Sequence, residues 1–116
     1  MIHYMNLHLK PFSMIAEEKK TIELRLWDEK RKQIAIGDTL VFQNTEDSSA
    51  TLSCIVKELH IFKDFAELYR YLPLAQCGYL PEELETALPE DMDAYYSREQ
   101  QQKYGVVGIE LELLNE

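Results

Sequence analysis

Lys20, Glu23 and Arg25 bring three chemistries together within one short segment. An arginine offers a planar fork of N–H donors that matches a phosphate or the edge of a base. A lysine supplies a point charge, or a nucleophile where burial or a cationic neighbour lowers its pKa. A glutamate accepts from an exocyclic amine or moves a proton. Spacing decides whether the three meet. Thr21–Trp27 alternates: Ile22, Leu24 and Leu26 form one face of a strand, and Thr21, Glu23, Arg25 and Trp27 the other. Glu23 and Arg25 then stand about 7 Å apart on one face. With Ile22, Leu24 and Leu26 facing inward on the core, Glu23 and Arg25 project into a common space, and Lys20 sits at its mouth. The same pattern also reads as a solvated strand face carrying an ion pair of small worth.

Other side chains could complete such a site. Tyr95 and Tyr96 could stack a base, and Ser97 could donate to a phosphate. The same tyrosines could instead anchor a helix, and Ser97 could serve as a local cap. Trp27 shares the parity of Glu23 and Arg25 and could wall a cleft. His3, His8 and His60 have no metal-ligand spacing with one another, so no metal and no cofactor is expected. Glu82, Glu83 and Glu85 read as a solvated helix face. Cys54 and Cys77 form no C-x-x-C pair and read as buried apolar filler in a reduced, cytoplasmic setting.

The elements that must position these residues follow from periodicity. Met5–Leu9 alternates as a short strand, and Phe12, Ile15 and Ala16 recur at helical spacing after Pro11, predicting a helix over Pro11–Lys19. Asp28–Lys32 reads as a charged turn or short helix, Gly37-Asp38 as a turn, and Thr39–Gln43 as a strand. Asn44–Ser49 reads as a solvated hairpin loop. Thr51–Phe62 is a long strand whose drifting alternation predicts a bend or bulge. Asp64 is placed to cap a helix over Phe65–Leu72, with Glu67 as its capping-box partner, and Pro73 stops it. Further helical pieces are predicted over Pro81–Leu88 and Met92–Lys103. Val106–Leu114 closes the chain as a strand that pairs with an early one. The order is α+β, one domain over residues 1–116, with an N-terminal helix and a helical insertion before the last strand.

Charge narrows the partner. The net charge is −9. Residues 1–63 carry nine basic and nine acidic side chains, whereas residues 64–116 carry three basic against twelve acidic. Non-specific duplex binding needs a dense basic surface, which this chain lacks. Any nucleic acid must therefore meet a local basic pocket in the first half, and a nucleoside or nucleotide fits such a pocket equally well. At 116 residues the chain is too short for a (β/α)₈ barrel. No run approaches the ~18 apolar residues of a membrane helix, so no membrane partner is expected. The N-terminus lacks the pattern of a signal peptide.

Glu18, Lys20, Glu23 and Arg25, followed by Ile36-Gly37-Asp38-Thr39-Leu40-Val41-Phe42, resemble the G-x-K-x-x-E-x-R signature of the ASCH domain. The upstream Leu9–Ile15 and the closing Lys103–Leu111 are similar to small bacterial members, so the resemblance covers nearly the whole chain. One position departs: the motif's glycine is Glu18, which must do without a positive φ or accept strain. The resemblance implies a small PUA-like mixed β-barrel with a cleft beside the motif strand, roofed by the helical insertion. It implies binding of RNA or of a nucleoside- or nucleotide-like ligand through Lys20, Glu23 and Arg25. It also implies a second possibility, a small hydrolase in which Lys20, with Glu23, is catalytic. One ASCH group resembles amidohydrolases of N4-acetylcytidine that use a lysine, a threonine and a glutamate. Lys20 matches that lysine, and Glu23 stands at the threonine position. A ribonuclease is the other hydrolase reading. The third reading is an interaction module whose cleft is filled by its own helix.

Overall fold

A computed structural model describes residues 1–114. In chain order the elements are β1 (Ile2–Leu7), α1 (Leu9–Ala16), β2 (Ile22–Leu26), β3 (Thr39–Asn44), β4 (Asp47–Phe62), α2 (Phe65–Tyr71), α3 (Arg98–Tyr104) and β5 (Val106–Leu113). Single 3₁₀ segments lie at Arg31–Gln33, Leu74–Cys77, Pro81–Glu83 and Pro89–Ala94. The class is α+β. The strands form one mixed sheet in the order β1-β3-β4-β5-β2, in which only the β1–β3 pair is parallel. The sheet curls into a half-barrel, and its two edges are β1 and β2. β4 supports the curl. Its first part pairs with β3 and its second with β5, and the register shifts between Val56 and Glu58. That bulge lets one long strand turn from one half of the curl to the other.

Two apolar clusters hold the fold. The interior gathers Met5, Leu7, Leu40, Phe42, Cys54, Val56, Val107, Ile109 and Leu111 from four strands, with Phe12 and Ile15 of α1. The second lies on the other side of β2 and β5. There Ile22, Leu24, Leu26 and Val106 pack against Phe65 and Leu68 of α2 and against Cys77. Gly108 permits this close approach, since a Cβ there would stand 2.5 Å from Leu72 and 3.2 Å from Ile22.

This packing reverses one expectation. In the β2–β5 register Glu23 lies opposite Ile109 and Arg25 opposite Val107, so the polar face of β2 shares the side of the interior cluster. Ile22, Leu24 and Leu26 face away from the interior, under α2. β2 is covered on both sides, Glu23 at 4% exposure and Leu24 at 7%. Alternation shows that the faces of a strand differ, and a second cover decides which one meets the barrel.

Several boundaries also move. β1 and α1 begin earlier than periodicity suggests, and Pro11 falls in the first turn of α1, where its missing N–H is harmless. The loop expected over Asn44–Ser49 is a tight turn at Thr45-Glu46. The buried Asn44 carboxamide accepts from the Glu46 N–H at 2.9 Å and fixes that turn, leaving Ser48 and Ser49 in β4. The helix expected over Pro81–Leu88 is one 3₁₀ turn. That over Met92–Lys103 breaks at Tyr95–Ser97. Asp64 caps α2 by accepting from the Glu67 N–H at 2.9 Å.

Candidate functional site

α1 ends in a left-handed turn. The N–H groups of Lys19 and Lys20 return to the carbonyl of Met14, and Glu18 adopts φ +60°. A non-glycine residue pays about 1–2 kcal/mol for that conformation, so the glycine position of the motif keeps its geometry here under strain. The turn delivers Lys20 to the start of β2, and the strand then presents Glu23 and Arg25 on one face.

There the three side chains form one chain of ion pairs. Lys20 Nζ lies 2.7 Å from Glu23 Oε1. Arg25 donates to Glu23 Oε2 through Nε at 3.0 Å and Nη2 at 2.8 Å. Arg25 Nη2 also donates to the main-chain oxygen of Asn6 at 2.9 Å, across to the opposite sheet edge. Lys20 and Glu23 are buried. Burial alone would push the Glu23 carboxyl up. The adjacent Lys20 and Arg25 outweigh it and hold the group down at about 2. Burial works against the Arg25 charge, and Glu23 with Tyr96 more than compensates, so the guanidinium is held above its ordinary range. Lys20 is neither a free strand-end lysine nor a solvated one. Gly78, at φ +106°, makes room for its stem, since a Cβ there would lie 3.2 Å from Lys20 Cδ.

These residues floor a cleft of about 670 Å³. It opens where the half-barrel fails to close, between β1 and β2, and the insertion after α2 forms its far wall. Asn6, His8 and Lys10 line the β1 side; Tyr79, Tyr95 and Tyr96 line the insertion side. Both Glu23 oxygens are taken by cations, while Lys20 Nζ retains N–H donors and Arg25 Nη1 donates to none of the described groups. The floor is therefore rich in donors and poor in acceptors. The far wall carries Asp91, whose Oδ2 accepts from the Tyr79 hydroxyl at 3.0 Å, and Tyr79 in turn contacts the Tyr69 hydroxyl. Burial pushes the Cys77 thiol, which also lines the cleft, up to about 11. It is a packing group and not a thiolate nucleophile.

The remaining sequence candidates divide. Tyr96 lines the cleft and stacks on Phe65, centroids 6.2 Å apart. Ser97 does not line it. Its hydroxyl caps α3 by accepting from the Gln100 N–H at 3.1 Å. Trp27 does not wall it either, and packs against the interior cluster. Sequence reasoning missed Asn6, His8, Lys10, Gly78 and Tyr79. They come from two segments far apart in the chain, and only the glycine-aromatic pair Gly78-Tyr79 after the 3₁₀ turn offered a local signal. Among the described residues no group of three or more His, Cys, Asp or Glu side chains is placed to hold a metal. No helix among them is long and apolar enough to cross a membrane.

An α+β half-barrel with a donor-rich cleft in its open seam is the class of protein that fold and site define, consistent with the PUA-like architecture. The ASCH domain family model matches residues 5–115, and the chain belongs to that family. No curated protein matches it. Solved structures do. The hypothetical protein PH0355 is 30% identical, with 98% of this chain and 100% of that one covered and a TM-score of 0.79. Protein PF0455 from Pyrococcus furiosus is 33% identical over the full length of both, with a TM-score of 0.71. The ASCH protein from Zymomonas mobilis shares the fold at 12% identity, with 96% of this chain and 66% of that one covered and a TM-score of 0.65.

Proposed function

We propose that the cleft binds a nucleotide-like unit, free or as part of a short single-stranded RNA, with Lys20 and Arg25 donating to it and Glu23 holding both in place. The observation that carries this reading is the donor surplus on the cleft floor, because the ligand must then bring acceptors such as phosphate or base oxygens. The volume lies within the ~300–1,000 Å³ usual for small-molecule sites. Tyr79, Tyr95 and Tyr96 supply aromatic faces opposite the cations, suited to stacking a base. With the net charge at −9, an extended polyanion contact is disfavoured, and few phosphates are engaged. A reducing, cytoplasmic setting fits the two free, buried cysteines.

A thermal-shift screen of nucleosides, nucleotides and short RNAs tests this. A ligand at 100 times its Kd should stabilise the fold by about 2.7 kcal/mol. The slope of log affinity against log salt should be no steeper than about −3. No shift with any of these compounds, or a slope near about −6, would remove the reading.

The 2.7 Å Lys20–Glu23 contact favours a second reading, a small hydrolase, either an amidohydrolase of a modified nucleoside or a ribonuclease. A buried lysine and carboxylate in contact are placed to pass a proton between ligand and protein. Product formation on incubation with N4-acetylcytidine or with short RNA, lost in Glu23→Gln while binding persists, would select it over binding alone. The third reading, a cleft filled by its own helix, has no support in the open volume between β2 and the insertion.

A further inference from the structure

β2 is an edge strand, and its ladder leaves half of its main-chain groups unpaired. The Leu111 N–H donates to the Thr21 carbonyl at 2.8 Å, and the Trp27 N–H donates to the Gly105 carbonyl at 3.0 Å. With Glu23 opposite Ile109 and Arg25 opposite Val107, the odd-numbered residues of β2 therefore direct their N–H and C=O groups at β5. The even-numbered residues direct theirs the other way, into the seam. Ile22 lies beside the 3₁₀ segment at Leu74–Cys77, which takes the Thr21 N–H through the Gln76 carbonyl at 2.9 Å. Leu24 has no such cover. Its side chain packs under α2, its main chain borders the cleft, and neither its N–H nor its C=O has a partner among the described residues.

β1 shows the same parity across the gap. The carbonyls of Met1 and Leu7 accept from the N–H groups of Thr39, at the start of β3, and Thr45, just past its end, so those of Tyr4 and Asn6 face the seam, where Asn6 receives Arg25. Leu24 thus stands between two fixed donors, Lys20 and Arg25, as an unpaired donor–acceptor couple on the cleft floor. Main-chain groups that the protein leaves unpaired must find a partner from outside it, so this couple, bordering the cleft, is free to pair with a ligand.

We propose that the main-chain N–H and C=O of Leu24 read the hydrogen-bonding edge of a nucleobase in the cleft. An N–H and a C=O from one edge residue point the same way, and they match a planar group carrying an acceptor beside a donor. The N3–O4 edge of uracil and the N1–N6 edge of adenine both have that form. An extended peptide adding as a strand would satisfy the same couple. The base is favoured because Lys20 and Arg25 flank the couple with extra donors, and because the tyrosines opposite offer a stacking face. This inference rests on the nucleotide reading of the cleft and goes beyond it by assigning the contact that recognises the base.

The test compares uridine and adenosine 5′-monophosphates with their 3-methyluridine and 1-methyladenosine counterparts, using ribose 5-phosphate as the base-free control. Amide ¹H–¹⁵N spectra supply the second readout. Edge methylation should weaken binding at least about tenfold, ribose 5-phosphate should bind more weakly still, and the Leu24 amide should shift and gain exchange protection with the unmodified nucleotides. Leu24→Pro removes the N–H that points away from the ladder, together with a buried side chain under α2, and should lose the same discrimination. Should that variant fail to fold, the methylated probes and the Leu24 amide still decide. Equal affinity for methylated and unmodified nucleotides, or an undisturbed Leu24 amide at saturation, overturns the inference while leaving nucleotide binding intact. Binding of an extended peptide and of no nucleotide overturns both readings.

Discussion

Arg25 Nη2 donates to the Asn6 carbonyl at 2.9 Å, and Arg25 belongs to one edge of the sheet while Asn6 belongs to the other. The guanidinium is therefore the side-chain bridge across the opening through which the cleft is reached. It also holds Glu23 Oε2 through two donors. Arg25→Lys keeps a charge but cannot serve Glu23 and Asn6 together, because it lacks the fork. Arg25→Ala should cost about 2–4 kcal/mol in urea unfolding, less than the full loss of a buried pair because Lys20 still serves Glu23. Arg25→Lys should recover only part of that. Equal stability of all three proteins would show that the bridge carries no strain of closure.

Lys20 and Lys19 are adjacent and should behave differently. Lys20 is buried against Glu23, whereas Lys19 is two-thirds exposed and 3.8 Å from Glu17. Lys20→Ala strips a partner from a buried carboxylate and should cost about 1–3 kcal/mol, together with most of the nucleotide affinity. Lys19→Ala should stay within about 0.5 kcal/mol of the parent and bind unchanged. Chemical denaturation with a ligand titration of both variants checks this. On a solvated strand face Lys20 would be dispensable to the fold, and its burial corrects that.

Acid should destabilise the protein in a defined window. The Glu23 carboxyl ionises at about 2 in the fold, against an ordinary value of 4.5. Its unfolded form takes up the proton first as pH falls. The stabilisation is complete above about pH 4.5 and is lost progressively down to about pH 2, in all about 3 kcal/mol. Glu23→Gln should lower stability at neutral pH, and its deficit should shrink across that window. Asp38, held down to about 2 chiefly by its hydrogen bond to His3, leaves a residual slope in the variant. A deficit that is constant from pH 7 to pH 2 would contradict the assignment.

Glu18 at φ +60° is strained where glycine is not. Glu18→Gly should raise stability by about 0.5–1 kcal/mol, the relief of strain less the added freedom of the unfolded chain. Glu18→Ala, which keeps a Cβ, should not. Thermal unfolding of the two variants side by side measures the difference.

Local signals were enough for the Asp64 cap, the stop at Pro73, the β2 alternation and the placement of Lys20, Glu23 and Arg25 on one side of the chain, because each depends on neighbours a few residues away. The ASCH resemblance was legible for the same reason, in one short motif and its downstream strand. Which face of β2 meets the barrel was not legible. Both faces are buried, and the cover over Ile22 and Leu24 comes from α2, some forty residues later. Ser97 and Trp27 carried suitable chemistry, but a cap and a packing site claimed them. The Arg25–Asn6 bridge, the room that Gly78 leaves for Lys20, and the unpaired Leu24 main chain arise only when the sheet curls and stops short of closing. Periodicity reports which residues are alike along a strand. The cleft is a property of two sheet edges that are distant in sequence and meet only in the folded chain.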